Sequence, residues 1–169
     1  MEPSWSQTTE HGADPSDHPA ATDVVLVVDV ANVMGSRPDG WWHDRKAAAI
    51  RLLTALGRVI WAETAGPDAR NLRIARIVAV MEGAARGAVA PGHGTDRPAV
   101  EVVEAERDGD STIVAVTERL VSTLPSACPE TAERVEAVLV VTADRGLRQR
   151  LPPDAITVGP EWLNRLIGR

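Results

Sequence analysis

Several residue types are absent or scarce in this chain of 169 residues. It contains no phenylalanine and no tyrosine, and its aromatic side chains are five tryptophans. The core therefore has to be built from Val, Leu, Ile and Ala, and small, branched side chains of this kind suit a buried parallel sheet. The apolar content of 44% is ordinary for a soluble globular protein, and the length predicts one domain.

Long hydrophobic runs and cysteine pairs are also missing. No stretch approaches the roughly 18 apolar residues that a membrane-spanning helix needs, and the amino-terminus is polar and acidic, unlike a signal peptide. The single cysteine, Cys128, excludes an internal disulfide and has no second thiol close in sequence with which to bind a metal. These features predict a cytoplasmic protein that has no membrane contact.

Basic residues are outnumbered, with 18 Lys and Arg against 24 Asp and Glu, for a net charge of −6. A diffuse basic surface for nucleic acid is therefore not expected, because phosphate neutralisation needs cations. The excess of acid is uneven, since residues 1–22 contain acids and no Lys or Arg. This segment is rich in Ser, Thr, Pro and His, which is typical of a disordered tail, and residues 23–169 are predicted to form the domain.

Apolar patterns predict alternating strands and helices. Continuous β-branched runs at residues 24–30 and 137–142 indicate strands buried on both faces. Further strands are predicted at about residues 74–82, 100–105 and 156–158, and helices at residues 44–64, 111–123, 144–151 and from Pro160 onward. This order favours an α/β fold with right-handed crossovers and a mostly parallel sheet of about five strands.

Acidic residues mark the ends of four predicted strands: Asp29 lies in the first, Glu82 closes the second, Asp108 and Asp110 come just after the third, and Asp144 comes just after the fourth. Ligands of parallel sheets bind beyond the carboxyl ends of the strands, so these acids are expected at one edge. Clustered carboxylates repel one another, and they favour a bound cation or a shared proton. Oxygen ligands suit Mg²⁺ or Mn²⁺. The sequence therefore predicts a catalytic metal site of Asp29, Asp110 and Asp144, flanked by Glu82 and Asp108.

A structural alternative exists, because an Asp that follows a strand is often the N-cap of the next helix. Taken singly, Asp110 and Asp144 favour that interpretation. Asp29 does not, since it interrupts a buried apolar run, where a cap would come several residues early, and a buried charge needs a partner. Asn32 could bind a phosphate oxygen, orient Asp29 or form a turn. Thr142 could support the site through its hydroxyl or be an ordinary strand residue.

Four segments, VVDVANV, MEG, GDSTIV and VVTADRGL, resemble the PIN-like superfamily and especially its NYN branch. They carry Asp29, Asn32, Glu82, Asp110 and Asp144 in the order of the family, and the likeness extends from Val24 to about Leu151. The segment SRPDGWWHDR resembles small actinobacterial proteins of this kind. The resemblance implies a three-layer α/β/α fold and a metal-dependent ribonuclease. One departure is Ser111, where many NYN-type sequences have a second acid, a loss for which Asp108 could compensate.

The resemblance also implies RNA as the substrate and a cation that activates water for attack on phosphorus. Phosphates could be received by arginines near the strand ends, and bases could stack on a tryptophan pair. The predicted substrate-binding residues are Asn32, Arg37, Trp41, Trp42, Arg145 and Arg148, with Arg45, Lys46 and Arg150 nearby. The structural alternatives are a solvated helix face for the arginines and a hydrophobic staple for the tryptophans, one of which is expected to be buried.

The leading hypothesis is thus a metal-dependent endoribonuclease. The same acids could instead serve a nucleotide pyrophosphohydrolase, which the acidic surface and compact domain would suit. A binding module without catalytic activity is a further alternative, in which the acid absent at Ser111 has cost the site its metal. A phosphatase of the haloacid-dehalogenase type is disfavoured, because Ala31 stands where a second Asp would be needed. The sequence names no protein partner and leaves a homodimer open.

Overall fold

The computed structural model describes residues 20–88, 100–124 and 135–169. Its strands are β1 (Thr22–Asp29), β2 (Glu63–Ala65), β3 (Asn71–Met81), β4 (Glu101–Glu104), β5 (Ala137–Val141) and β6 (Ala155–Val158). Its α-helices are α1 (Val30–Gly35), α2 (Arg45–Gly57), α3 (Gly109–Ser122), α4 (Arg145–Arg150) and α5 (Pro160–Leu166), and a 3₁₀ turn spans Gly83–Ala85. The predicted tail, as far as residue 19, and Cys128 lie outside the described residues.

The strands form one sheet in which β4, β3, β1, β5 and β6 are parallel neighbours in that order. Strand β2 pairs antiparallel with the amino-terminal part of β3. The predicted α/β class and mostly parallel sheet are thereby confirmed. From β1 the chain builds the sheet first toward β3 and β4 and then toward β5 and β6. Sheets of this kind bind ligands at the topological switch point, where the order in which strands are added changes from one side of the sheet to the other. Here that point lies at the carboxyl ends of β1 and β5.

Helices pack against both faces of the sheet, and β1 shows how the sequence dictates this. Val24, Leu26 and Val28 belong to a cluster that includes residues of α1, α2 and α5. Val25 and Val27 belong to a second cluster, with residues of α3 and α4. Each fully buried valine contributes about 1.5–3 kcal/mol relative to exposure. With both faces covered, the strand ends are the part of the sheet that a ligand can approach.

The predicted helix at residues 44–64 is wrong beyond Gly57, where α2 ends. Val59 and Ile60 pack with the core from a turn that follows the helix. The helical spacing of apolar residues therefore extends further along the chain than the helix does. The chain then reverses at Trp61, whose φ of 69° is left-handed, and enters β2. None of the helices in the described ranges is long and apolar enough to cross a membrane.

Candidate functional site

A cleft of about 500 Å³ opens at the carboxyl ends of β1, β3 and β5. Four of the predicted acids line it, namely Asp29, Glu82, Asp110 and Asp144. The parallel register explains their proximity, because Asp29 lies opposite Val80 of β3 and Val28 lies opposite Val141 of β5. The edge of the sheet that the sequence singles out therefore carries a concave, acidic site.

Asp29 is the buried carboxylate of this cleft, with 8% of its surface exposed. Its Oδ1 accepts a hydrogen bond from the backbone N–H of Asn32 at 3.0 Å, and its Oδ2 accepts one from the hydroxyl of Thr142 at 3.0 Å. The expectation that a helix cap at this position would come too early is wrong, because α1 begins at Val30 and Asp29 is its N-cap. Asp29 is thus at once a cap and part of the cleft.

Burial raises the pKa of Asp29 above its ordinary value. The hydrogen bonds from Asn32 and Thr142 oppose that shift, and the negative charges of Asp110 and Glu82 add to it. A desolvated carboxyl group beside other acids gains most from a nearby cation, which would favour its ionised form. Such a group in a cleft is a functional candidate on physical grounds.

Two side chains join the β1–α1 turn to the β5–α4 turn. The hydroxyl of Thr142 accepts a hydrogen bond from the backbone N–H of Asp144 at 3.1 Å while it donates to Asp29. The Oδ1 of Asn32 accepts one from the backbone N–H of Ala143 at 2.9 Å. The side chain of Asn32 therefore braces the second turn, and Asp29 is held by the Asn32 backbone. Thr142 provides the hydroxyl support that its place in the sequence suggested.

Asp144 and Glu82 each use one carboxylate oxygen for a structural bond. Asp144 caps α4, its Oδ1 accepting from the N–H of Leu147 at 2.8 Å. Glu82 Oε2 accepts from the N–H of Gly109 at 3.0 Å. Within the described parts of the chain, no hydrogen bond reaches Asp144 Oδ2 or Glu82 Oε1. The cap interpretation of Asp144 is correct, and it leaves an oxygen for a ligand, because a carboxylate accepts at both oxygens.

Asp110 is half-buried in the first turn of α3 and does not cap this helix. Its Oδ2 lies 3.6 Å from Nη1 of Arg150. Burial raises the pKa of Asp110, the charges of Asp144 and Asp108 raise it further, and Arg150 opposes them. The contribution of Asp144 to this shift indicates that Asp110 lies within electrostatic range of Asp144, as a shared cation site requires.

Asp108 caps α3, its carboxylate accepting from the backbone N–H groups of Asp110 and Ser111, both at 3.2 Å, and also from the Ser111 hydroxyl. The Ser111 hydroxyl is the main cause that lowers the pKa of Asp108. Asp108 lines a neighbouring cavity instead of the acidic cleft. Asp108 therefore does not compensate in the cleft for the acid that many NYN-type sequences have at the position of Ser111. The hydroxyl of Ser111 accepts a hydrogen bond from Arg150 Nη2 at 2.8 Å.

The predicted substrate-binding residues fall into different places. Arg148 donates from Nε and Nη2 to the carbonyl of Thr142, at 3.1 and 2.6 Å, and so braces the site. Arg37 and Arg145 are exposed and lie outside the residues that line the cleft. Trp41 packs partly against the core, whereas Trp42 is 50% exposed. One tryptophan is thus partly buried, and the other is available at the surface.

Gly109 is a site residue that the sequence reasoning missed. A Cβ at this position would lie 2.5 Å from Glu82 Oε2, so the absence of a side chain allows Glu82 to reach the backbone N–H. A glycine beside an acid at a helix start is the available sequence signal, because glycine permits close approach. Ser36 also lines the cleft, and nothing in the sequence marks it.

The acids fit a cation by their chemistry more than by their present spacing. Among residues 20–88, 100–124 and 135–169, no three Asp, Glu, His or Cys side chains are grouped closely enough to hold a metal ion. The donor set is nevertheless all oxygen, which suits Mg²⁺ or Mn²⁺. A cation would have to draw the carboxylates inward.

Comparison of the chain with protein families, with curated proteins and with solved structures found no match.

Proposed function

We propose that this chain is a metal-dependent endoribonuclease with a three-layer α/β/α PIN-like domain. The observation that carries the proposal is the meeting of four acids in one cleft beyond the carboxyl ends of β1 and β5, three of them from separate strand ends and Asp110 from the first turn of α3. Helices on both faces of the sheet and the order of its parallel strands support the PIN-like assignment. Asp29, Asp110 and Asp144 are the proposed ligands of Mg²⁺ or Mn²⁺.

Asp29 is the fixed member of this set. Hydrogen bonds reach both of its oxygens, from the Asn32 backbone and from the Thr142 hydroxyl, each at 3.0 Å. A ligand held in this way needs little reorganisation when a cation arrives, and such supporting bonds tune metal affinity. Each of its oxygens retains a second lone pair for coordination.

Asp144, Asp110 and Glu82 complete the site with more freedom. Asp144 keeps Oδ2 for a ligand, while its cap bond to the N–H of Leu147 fixes Oδ1. Asp110 can exchange its long contact with Arg150 for a cation, because exposed ion pairs are weak. Glu82 contributes negative charge and one further oxygen. A divalent cation bound there would stabilise charge on the phosphoryl oxygens and activate water for hydrolysis.

The proposal is tested by incubating the purified protein with RNA in Mn²⁺, with EDTA as the blank. We expect RNA fragments without pyrophosphate release. Asp29→Asn should abolish cleavage while its circular dichroism stays that of the wild type. Asp154→Asn, which removes an exposed acid away from the cleft, is the matched control and should cleave normally.

Unchanged cleavage by Asp29→Asn would overturn the assignment. Pyrophosphate released from nucleotides, without any cut in RNA, would replace it with a nucleotide pyrophosphohydrolase. A calorimetric titration that detects no binding of Mn²⁺ or Mg²⁺ at millimolar concentration would replace it with a binding module that has no catalytic role.

A further inference from the structure

An exposed indole lies on the segment that leads away from the acidic cleft. Trp42 is 50% exposed, and it lies between α1 and α2. Its ring centroid is 6.2 Å from that of Trp41, edge to face at 84°, and 5.5 Å from that of His43. A single exposed tryptophan needs no explanation by itself. Its surroundings therefore decide whether it has a function.

The segment that carries Trp42 is tied down at several points. Arg169 Nη2 donates to Asp39 Oδ2 at 2.5 Å, and the buried side chain of Asn164 donates from Nδ2 to Ser36 Oγ at 3.1 Å. At its other end, Asp44 caps α2 by accepting from the N–H of Ala47 at 2.9 Å. Trp42 is therefore presented on an ordered loop, and a preorganised contact loses less entropy on binding.

The amino end of this segment reaches the cleft. Gly35 and Ser36 belong to the cleft lining, and a Cβ on Gly35 would lie 3.9 Å from Cζ2 of Trp41. Trp41 contacts Trp42 in turn. Trp41 thus connects the cleft-lining residue Gly35 to the exposed ring of Trp42.

The charges near Trp42 suit a phosphate backbone. Residues 36–46 contain the cations Arg37, Arg45 and Lys46. Of the two acids in this segment, Asp39 is neutralised by Arg169. Arg45 lies over the Trp41 ring, 5.3 Å from its centroid, which occupies a face of that ring and leaves Trp42 as the better platform. Cations beside an exposed aromatic ring are the combination that binds single-stranded nucleic acid.

We infer that Trp42 stacks an unpaired base of the RNA strand whose backbone enters the cleft, so that the substrate is single-stranded. This inference rests on the proposed function, because it takes the cleft as the place where the backbone is cut. Stacking on an indole requires a free base face, which an intact duplex does not offer. The neighbouring cations would contact the phosphates on either side of the stacked base.

The test measures binding of a fluorescein-labelled 12-nucleotide RNA by anisotropy in EDTA at low ionic strength, where metal-dependent cleavage is off. Trp42→Ala is compared with Trp61→Ala, which removes a second tryptophan that is 50% exposed in the described part of the chain. The backbone N–H of Trp61 donates to the carbonyl of Ile74 near the amino end of β3, roughly 20 Å along that strand from the cleft at 3.3 Å per residue. The cation beside its ring, Arg73, is paired with Asp23. Thermal melting verifies that both variants are folded.

We expect Trp42→Ala to bind single-stranded RNA about 5- to 150-fold more weakly than wild type, which corresponds to ~1–3 kcal/mol of stacking per base. Trp61→Ala should bind as wild type does, and the two variants should bind a duplex of the same sequence equally. Replacing the bases one at a time with abasic nucleotides should reveal one position at which Trp42→Ala no longer weakens binding.

Equal binding of single-stranded RNA by the two variants, or no binding by the wild type, would overturn the inference. An equal loss for duplex RNA would overturn single-strand selectivity. Binding that depends on Trp42, in a protein that cuts no RNA in Mn²⁺, would reject the nuclease and leave the stacking site standing.

Discussion

The hydroxyl of Thr142 donates a hydrogen bond to Oδ2 of Asp29 across 3.0 Å. The two residues are 113 positions apart in the chain, and they meet because β5 pairs with β1. The same hydroxyl accepts from the N–H of Asp144 at 3.1 Å. One fully buried side chain thereby positions two of the three proposed metal ligands.

Thr142→Val removes this hydroxyl with little change of shape. We expect it to lower Mn²⁺ affinity about 10- to 100-fold, the usual effect of losing a partner of a metal ligand. It should also lower the free energy of unfolding by about 1–3 kcal/mol, because the N–H of Asp144 loses its acceptor. Calorimetric titration and denaturant unfolding give the two values. Thr142→Ser keeps the hydroxyl and should restore the affinity, and a serine variant as weak as the valine variant would contradict this positioning role.

The buried charge of Asp29 should make stability depend on pH. Its pKa is raised in the folded protein from the ordinary value of 3.8, so the folded state holds the proton more tightly than the unfolded chain. Stability then falls as pH rises from about 3.8 through the raised pKa, and it stays reduced above that value. Asp29→Asn lacks this titration and keeps the acceptor for the Asn32 N–H, and its amide nitrogen can donate to the Thr142 hydroxyl oxygen in place of the bond that Oδ2 now accepts.

In EDTA, Asp29→Asn is therefore expected to melt at a higher temperature than the wild type at pH 7, with a difference that shrinks toward pH 4. Each kcal/mol corresponds to about 2–4 °C in a domain of this size. Thermal unfolding across that pH range gives the comparison, and a wild type that is the more stable protein at pH 7 would show that burial of the charge is fully compensated.

Apolar runs predict β1 and β5 correctly, because both strands are buried on both faces and their sequences need no alternation. Pro160 likewise predicts the start of α5. Strand β2 is missed, since the residues Glu-Thr-Ala have no strand pattern and become a strand through pairing with Asn71–Arg73 of β3. Helix α1 is missed because six residues directly after a strand give no helical period.

The candidate site, like the fold, could be predicted from the sequence only in part. The acids could be predicted, because parallel strands bring their carboxyl ends to one edge regardless of detail. The contacts between them could not, since they depend on register and helix placement. Asp108 and Asp110 illustrate this, because a start of α3 at Gly109 makes the first residue a cap and leaves the second in the cleft. If the predicted start of the helix is wrong by two residues, the prediction assigns the cap to Asp110 and the cleft to Asp108.

Arg150 would compete with the proposed cation for Asp110, because its Nη1 lies 3.6 Å from Oδ2. Arg150→Gln should therefore tighten Mn²⁺ binding, by about 2- to 5-fold at low ionic strength, in keeping with the weakness of exposed ion pairs. The gain should fade in ~0.5 M salt, where exposed charges are screened. Calorimetric titrations of Arg150→Gln and Arg145→Gln test this, the latter being a charge-matched control on the same helix. Equal effects of the two variants would indicate a general charge effect instead of a specific contact.

Gly109 makes room for Glu82, and replacing it separates helix stability from the site. A Cβ there would lie 2.5 Å from Oε2 and 3.0 Å from Cδ of Glu82, so Gly109→Ala should push this carboxylate away from the N–H that it now accepts from. The helix itself should tolerate alanine, which is favoured over glycine by about 1 kcal/mol in helix interiors. We expect the gain in helix propensity and the loss of the acceptor for the Gly109 N–H to offset each other, so that Gly109→Ala melts close to the wild type and yet binds Mn²⁺ as weakly as Glu82→Gln. Because both changes act on one carboxylate, the double variant should show no further loss of Mn²⁺ affinity, as a double-mutant cycle by calorimetry would reveal.

Gly57→Ala, whose Cβ would make an ordinary 4.0 Å contact with Val100, controls for the added methyl group. Wild-type affinity in Gly109→Ala, together with a weakened Glu82→Gln, would show that Glu82 serves the site without its bond to Gly109.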